Sequence, residues 1–487
     1  MLSLHKNGLK PRIRLRILSI VDQLSPWFGS RGAFGPTGNR YGVFICRCRR
    51  FMFPLLGLLS FCMMSTSIGF AQTPAESSTE DTRSLEETSG EASSSAASLE
   101  PTLELPLDGR NGRELLLRNF RPKSQLVVAS TDLGRGKFPV VDAHTHFYHR
   151  LKGNQQALDD FVQLMDRNGI AVCASLDGML GEQLDEHIDN LWPEYKDRFV
   201  IFANVNWVGR GDRDDPATWA CHRAGFAEST AAELESAVRR GVSGLKVFKG
   251  FGLTYRNPDG TRMRIDDTRW DPIWQACGRL GIPVIIHTGD PAAFFLPIDE
   301  TNERWEELSR HPEWSFYGDE FPSREDVLQA RNRVIARHPD TQFIGAHMAG
   351  SSENLSRVSR WLDEYPNLWI EPASRIGELG RQPFTARDFL IRHADRILFG
   401  TDGPWPETRV RFYWRFFETH DEYFAYSEKV PPPQGLWQIY GVKLPDDVLK
   451  KIYFENAARL IPGVRARVEA FVDKQADDHN PTAGKSR

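Results

Sequence analysis

Acidic residues are almost missing from the first 71 positions, where ten Lys/Arg stand against the single acid Asp22. The 487-residue chain has a net charge of −4, so everything after Ala71 carries −13, and that balance excludes a nucleic-acid partner for the mature protein. Cysteine is scarce as well: past residue 71 only Cys173, Cys221 and Cys277 remain. An odd, scattered set, partly embedded in apolar sequence, excludes a disulfide framework or a zinc knuckle and reads as small buried hydrophobes. Long apolar runs are lacking with one exception, Phe51 to Ala71, which holds no charged residue, follows the basic stretch Arg47 to Arg50 and ends in Gly69-Phe70-Ala71. This is the pattern of a secretory signal peptide, with an uncleaved membrane anchor as the alternative. The expected location is therefore exported, periplasmic or extracellular, or else membrane-anchored. Also absent are a G-x-S-x-G nucleophile elbow, a Walker-type phosphate loop and a complete G-x-G-x-x-G fingerprint. Serine hydrolase, nucleotide hydrolase and dinucleotide oxidoreductase readings lose their usual support.

What is present divides the chain into five parts. Residues 1–71 are the signal peptide or anchor. Residues 72–100, QTPAESSTEDTRSLEETSGEASSSAASLE, are Ser/Glu-rich with almost no large apolar side chains and read as a disordered linker. Residues 101–137 form an N-terminal extension, 138–473 the folded domain, and 474–487 a polar tail. Within 138–473, eight apolar runs of β type alternate with helical patterns: 138–144, 171–176, 199–207, 242–249, 283–288, 342–347, 368–374 and 396–402. Helical periodicity falls at 155–169, 228–241, 323–338, 352–365 and 445–461. Eight such units predict an α/β fold, a (β/α)8 TIM barrel, whose catalytic face lies at the carboxyl ends of the strands.

Histidines collect at those ends. In VVDAHTHFYHR, His144 and His146 are two apart on one strand and project to the same face, while His149 lies past the strand with the wrong parity. PVIIHTGD places His287 after the fifth run, FIGAHMAG places His347 after the sixth, and ILFGTDGPW places Asp402 after the eighth. Converging imidazoles with a carboxylate suit a divalent transition metal. VSGLKVFKG offers Lys246 and Lys249, and alternation cannot turn both inward. Arg375, after the seventh run, and the long stretch Gly289 to Phe321, rich in Phe and Trp, are candidates for substrate contact. That stretch reads equally as a lid or as a packed insertion, and its Asp299, Glu300, Glu303 and Arg304 either reach substrate or pair with one another.

From Phe138 to Pro462 this constellation resembles the metal-dependent amidohydrolase superfamily, in particular its amidohydrolase-related branch of hydrolases and non-oxidative decarboxylases. The resemblance implies that His144, His146, His287 and Asp402 hold a catalytic metal, zinc in the first instance and one ion rather than two, and that His347 orients or protonates the reacting group. It gives Lys246, which matches the branch's G-x-K pattern, a place as a metal bridge, a charge partner or a substrate contact. The expected activity is hydrolysis of an ester, lactone or amide bond of a small molecule, with Asp402 as proton acceptor for water and His347 as stabiliser of the developing oxyanion. The alternatives are decarboxylation of a small carboxylate on the same ligands, and an inactive binding barrel. The implied partner is a small-molecule substrate; a homo-oligomer stays open.

Overall fold

The computed structural model describes residues 114–116, 120 and 122–479. The signal or anchor at 1–71, the linker at 72–100 and residues 480–487 lie outside the described residues. Residues 126–479 belong to one unit, and the few described residues before them, which carry no helix, belong to another. Among the described residues no helix is long and apolar enough to cross a membrane.

Seven strands pair in parallel in chain order: β1 (Val140–Thr145), β2 (Ile170–Met179), β3 (Phe199–Asn204), β4 (Gly244–Val247), β5 (Val284–Ile286), β6 (Phe343–Gly345) and β7 (Leu368–Ile370). Each coincides with an apolar β-type run, β1 and β2 reaching past the bounds expected, and is buried along nearly all its length, as expected of a parallel sheet covered on both faces. Alternation sorts the side chains into two buried clusters, with Val140, Ile201 and Leu245 in one and Val141, Ala143, Val172 and Phe202 in the other.

Helices intervene between the strands, and their ends are chemically marked. Helix Gln155–Asn168 begins where the Asn154 side chain accepts from the Ala157 N–H, and it stops at Gly169, which is left-handed at φ 76°. Its buried Leu158, Val162 and Met165 form the apolar stripe that faces the sheet. The last helix, Val464–His479, lays Val464, Val468 and Phe471 on the second cluster and runs on into the stretch read as a tail.

The eighth run differs from expectation. It adopts no regular strand, yet it still closes the barrel through alternate hydrogen bonds. Leu398 N–H donates to the Ile370 carbonyl at 2.9 Å, Ala143 N–H to Phe399 at 2.9 Å and Asp402 N–H to His144 at 2.8 Å. Gly400 lets this segment pass close to the site: a Cβ there would lie 2.7 Å from Glu371 Oε2 and 3.2 Å from His144 Cβ. Asp142 latches the closing segment to β1, accepting from the Thr401 N–H at 3.0 Å and from its hydroxyl.

Residues 289–321 are a packed insertion with a small core of its own, in which Phe294, Leu308, Trp314 and Phe316 meet Leu253 and Val327. Arg304, fully buried, pairs with Glu307 at 2.7 Å and with Glu378. Glu303 pairs with Arg381 at 3.0 Å, and Asp299 accepts from Thr301. Of the four charged residues singled out, Arg304, Glu303 and Asp299 bind protein partners, Arg304 and Glu303 tying the stretch to residues beyond β7. Trp305 alone of its large aromatics, with Tyr317, stands half exposed.

Candidate metal centre

His144 lies on β1 and His146 just past its end, and both rings reach the same side, facing Asp402. His149 falls in the short helix Tyr148–Leu151, off the strand. His144 Nδ1 lies 2.8 Å from Glu371 Oε1, and His146 Nδ1 lies 2.6 Å from Asp177 Oδ1. A carboxylate has only acceptors to offer, so both Nδ1 atoms carry a proton and both Nε2 atoms turn inward, that of neutral His144 as a lone pair and that of His146 with a proton a metal would displace. They meet Asp402 there: its Oδ1 is 3.4 Å from His144 Nε2 and 3.5 Å from His146 Nε2. The Ser374 hydroxyl donates to the other oxygen, Asp402 Oδ2, at 3.1 Å. Burial works against the charge on Asp402, but the surrounding imidazoles, His144 foremost, outweigh it and hold the carboxyl well below its usual range.

His347 joins from the end of β6, its ring 4.8 Å from that of His144. Its Nδ1 donates to the Ala373 carbonyl at 2.8 Å, and burial holds the ring neutral, well below the ordinary histidine range. The free Nε2 is thus an acceptor. A contact to an oxyanion would require it to gain a proton first. His287 stands against His347, with ring centroids 4.5 Å apart. Its Nε2 is buried without a hydrogen-bond partner, 3.6 Å from Asp290 Oδ1, and burial pulls its pKa down to about 4.

Two groups of donor atoms lie within 4.8 Å of one another: His144, His146 and Asp402, and His144, His347 and Glu371. Three of the four expected ligands fall in the first group; His287 belongs to neither but adjoins the site through His347. Inward-facing imidazole nitrogens, an ionised carboxylate and an orphaned buried nitrogen fit a divalent ion, and no other polar partner satisfies His287 Nε2.

Of the two lysines, Lys246 enters the barrel, with Nζ 3.2 Å from His144 Nε2; burial lowers its pKa to about 8 against the pull of Asp402, Glu371 and Asp177. Lys249, beyond the end of β4, pairs with Asp290 at 2.6 Å. Arg375 is buried, and its guanidinium donates to the Ser374 carbonyl at 2.9 Å. Asp177 and Glu371 escaped the sequence reading. An acid inside an apolar strand was the available signal, since such a group must find a partner.

The Amidohydrolase family model matches residues 141–463. The chain belongs to this family. Its members are metal-dependent, and the candidate ligands are present here. Among solved structures, a 2,6-dihydroxybenzoate decarboxylase from Rhizobium is 19% identical, matching 66% of this chain and 98% of its own, with a TM-score of 0.38. A dihydroxybenzoic acid decarboxylase from Polaromonas with bound manganese and the inhibitor 2-nitroresorcinol is 18% identical over 66% and 96%, at 0.39. A probable 2-pyrone-4,6-dicarboxylic acid hydrolase from Acinetobacter baumannii with bound citric acid is 12% identical over 66% and 99%, at 0.36. A search of curated proteins found no match.

Proposed function

We propose that this family member is a metal-dependent hydrolase acting on an ester, lactone or amide bond of a small molecule. The observation that carries the reading is the position of Asp402, ionised, with Oδ1 facing the two inward Nε2 atoms and Oδ2 held by Ser374. His144, His146, His287 and Asp402 would hold one divalent ion, and the imidazole-rich donor set favours zinc. Such an ion supplies a Lewis acid and a water whose pKa falls from about 15.7 to about 7. Asp402, ionised, would accept a proton from water and hand it on to a leaving group. His347, with its Nε2 lone pair free, accepts a hydrogen bond from water or substrate. Lys246, buried beside His144, counters the site's carboxylates, and Arg375 faces a substrate of negative charge. The pattern of residues 1–71 further supports export before the enzyme acts.

The test is metal analysis of the purified protein followed by an assay panel of lactones, esters, amides and aromatic carboxylates. One equivalent of metal, lost in His144→Ala together with hydrolysis, is expected. A protein without stoichiometric metal, indistinguishable from His144→Ala, would sink the reading. Carbon dioxide release without hydrolysis would move the same ligands to the lyase branch.

A further inference from the structure

His347 sits in an unusual piece of backbone. His347, Met348 and Ala349 have φ of 56°, 60° and 52°, and Gly350 follows at 69°, so four consecutive residues turn left-handed. Only the last is glycine, and the region is disfavoured for every other L-residue. Such a turn persists only where its surroundings over-determine it.

Its amino end is held by Glu371, whose Oε1 accepts from the His347 N–H at 2.9 Å and whose carbonyl accepts from the Met348 N–H at 2.7 Å. At the other end, two arginines of helix Arg324–Arg337 reach the exit carbonyls. Arg324 donates to Gly350, and Arg331 Nη1 donates to Ala349 at 2.5 Å. Space for the turn comes from Gly345, where a Cβ would lie 2.7 Å from that of Ala349.

Arg331 is the notable partner. It is completely buried, it lies over the Trp361 ring at 4.5 Å, and its hydrogen bonds go to two neutral oxygens, Ala349 O and Asn332 Oδ1. A buried guanidinium without a carboxylate among its hydrogen-bond partners carries a large desolvation penalty, and an apolar side chain of similar size often serves stability as well. What an apolar side chain cannot do is hold the Ala349 carbonyl.

We propose that Arg331 is a positioning residue for His347: it clamps the left-handed turn from the side opposite Glu371 and so fixes where the His347 ring stands. The clamp is a property of the backbone and stands independently of the reaction. Its catalytic consequence rests on the role given to His347 above.

The experiment combines Arg331→Met, Ala349→Gly and the double variant, read by hydrogen exchange of peptides covering residues 343–352 in the metal-free and metal-loaded protein. Arg331→Met is expected to speed exchange in this segment about tenfold or more while the strands on either side stay protected. Glycine adopts the left-handed region freely, so Ala349→Gly should restore most of that protection in the Arg331→Met background and change little alone. With an active substrate, kcat should fall and recover in step, at constant KM. Exchange unchanged in Arg331→Met, or a loss that Ala349→Gly fails to rescue, overturns the clamp. Normal exchange changes with unaltered kcat leave the clamp intact and refute the role of His347 instead. Should Arg331→Met not fold, Arg331→Lys, which keeps the charge but not the two-pronged reach, takes its place: faster exchange rescued by Ala349→Gly supports the clamp, and its absence overturns it.

Discussion

Replacing Glu371 with glutamine keeps the shape of a fully buried side chain while removing its charge and turning one acceptor into a donor. In the native site Oε1 takes the His144 Nδ1–H at 2.8 Å and the His347 N–H at 2.9 Å, and Oε2 takes the Ala373 N–H at 2.5 Å. Whichever way the new amide is turned, its NH2 faces at least one of these N–H groups. A buried donor left without an acceptor costs about 1–3 kcal/mol, and the orientation that spares His144 sacrifices only Ala373. Even so, the imidazole loses a charged partner that fixes its tautomer and raises its basicity, a change that typically lowers metal affinity about 10–100-fold. Two measurements check this: urea unfolding of the metal-free protein, and competition with a chromophoric chelator for the ion. Loss of both stability and affinity is expected. A Glu371→Gln variant with wild-type metal affinity would refute the claim that this carboxylate orients the ligand.

Three further outcomes follow from the same geometry. Burial depresses His146, but Asp177 and Asp402 outweigh it and raise its pKa to about 9, so metal-free protein at pH 7 carries a proton there that a ligand must shed. Metal uptake should therefore release close to one proton at pH 7, and affinity should rise with pH and level off above about 9; calorimetry in buffers of different ionisation enthalpy would reveal the error if no proton is released. Arg304→Met leaves Glu307 and Glu378 buried without their cation, a loss of about 3–5 kcal/mol, seen as urea sensitivity and as early proteolysis within 289–321; native-like resistance would contradict it. Finally, amino-terminal sequencing of exported protein should begin at Gln72, whereas an intact amino terminus in the membrane fraction would establish the anchor.

The strands were legible because parallel strands buried on both faces leave continuous apolar runs, and seven of the eight runs became paired strands. The eighth was recognisable as a run but not as an irregular one, because its pairing is carried by single hydrogen bonds to β1 and β7, which local sequence does not encode. Of the two lysines that parity said could not both turn inward, Lys246 enters the barrel and Lys249 does not. Parity said nothing of distance, and so could not show that His287 lies outside the tight donor groups. The left-handed turn at His347 was invisible for a different reason: Ala346, Met348 and Ala349 have ordinary local preferences, and the conformation is imposed by Glu371 and two arginines. The insertion's Phe and Trp residues were conspicuous, but whether they covered substrate or one another depended on contacts with Leu253 and Val327, distant in sequence.

The candidate ligand His144 lies on the first strand of the barrel and Asp402 rides on the segment that shuts it, held to β1 by the Asp142–Thr401 latch. Bringing these ends together closes a loop spanning most of the domain, the kind of non-local contact that comes late and slowly. Until the final stave is seated, the chain carries His144 and His146 but lacks the carboxylate that faces them. The donor group of His144, His146 and Asp402 therefore exists only once the barrel has closed, and its assembly reports that folding has finished.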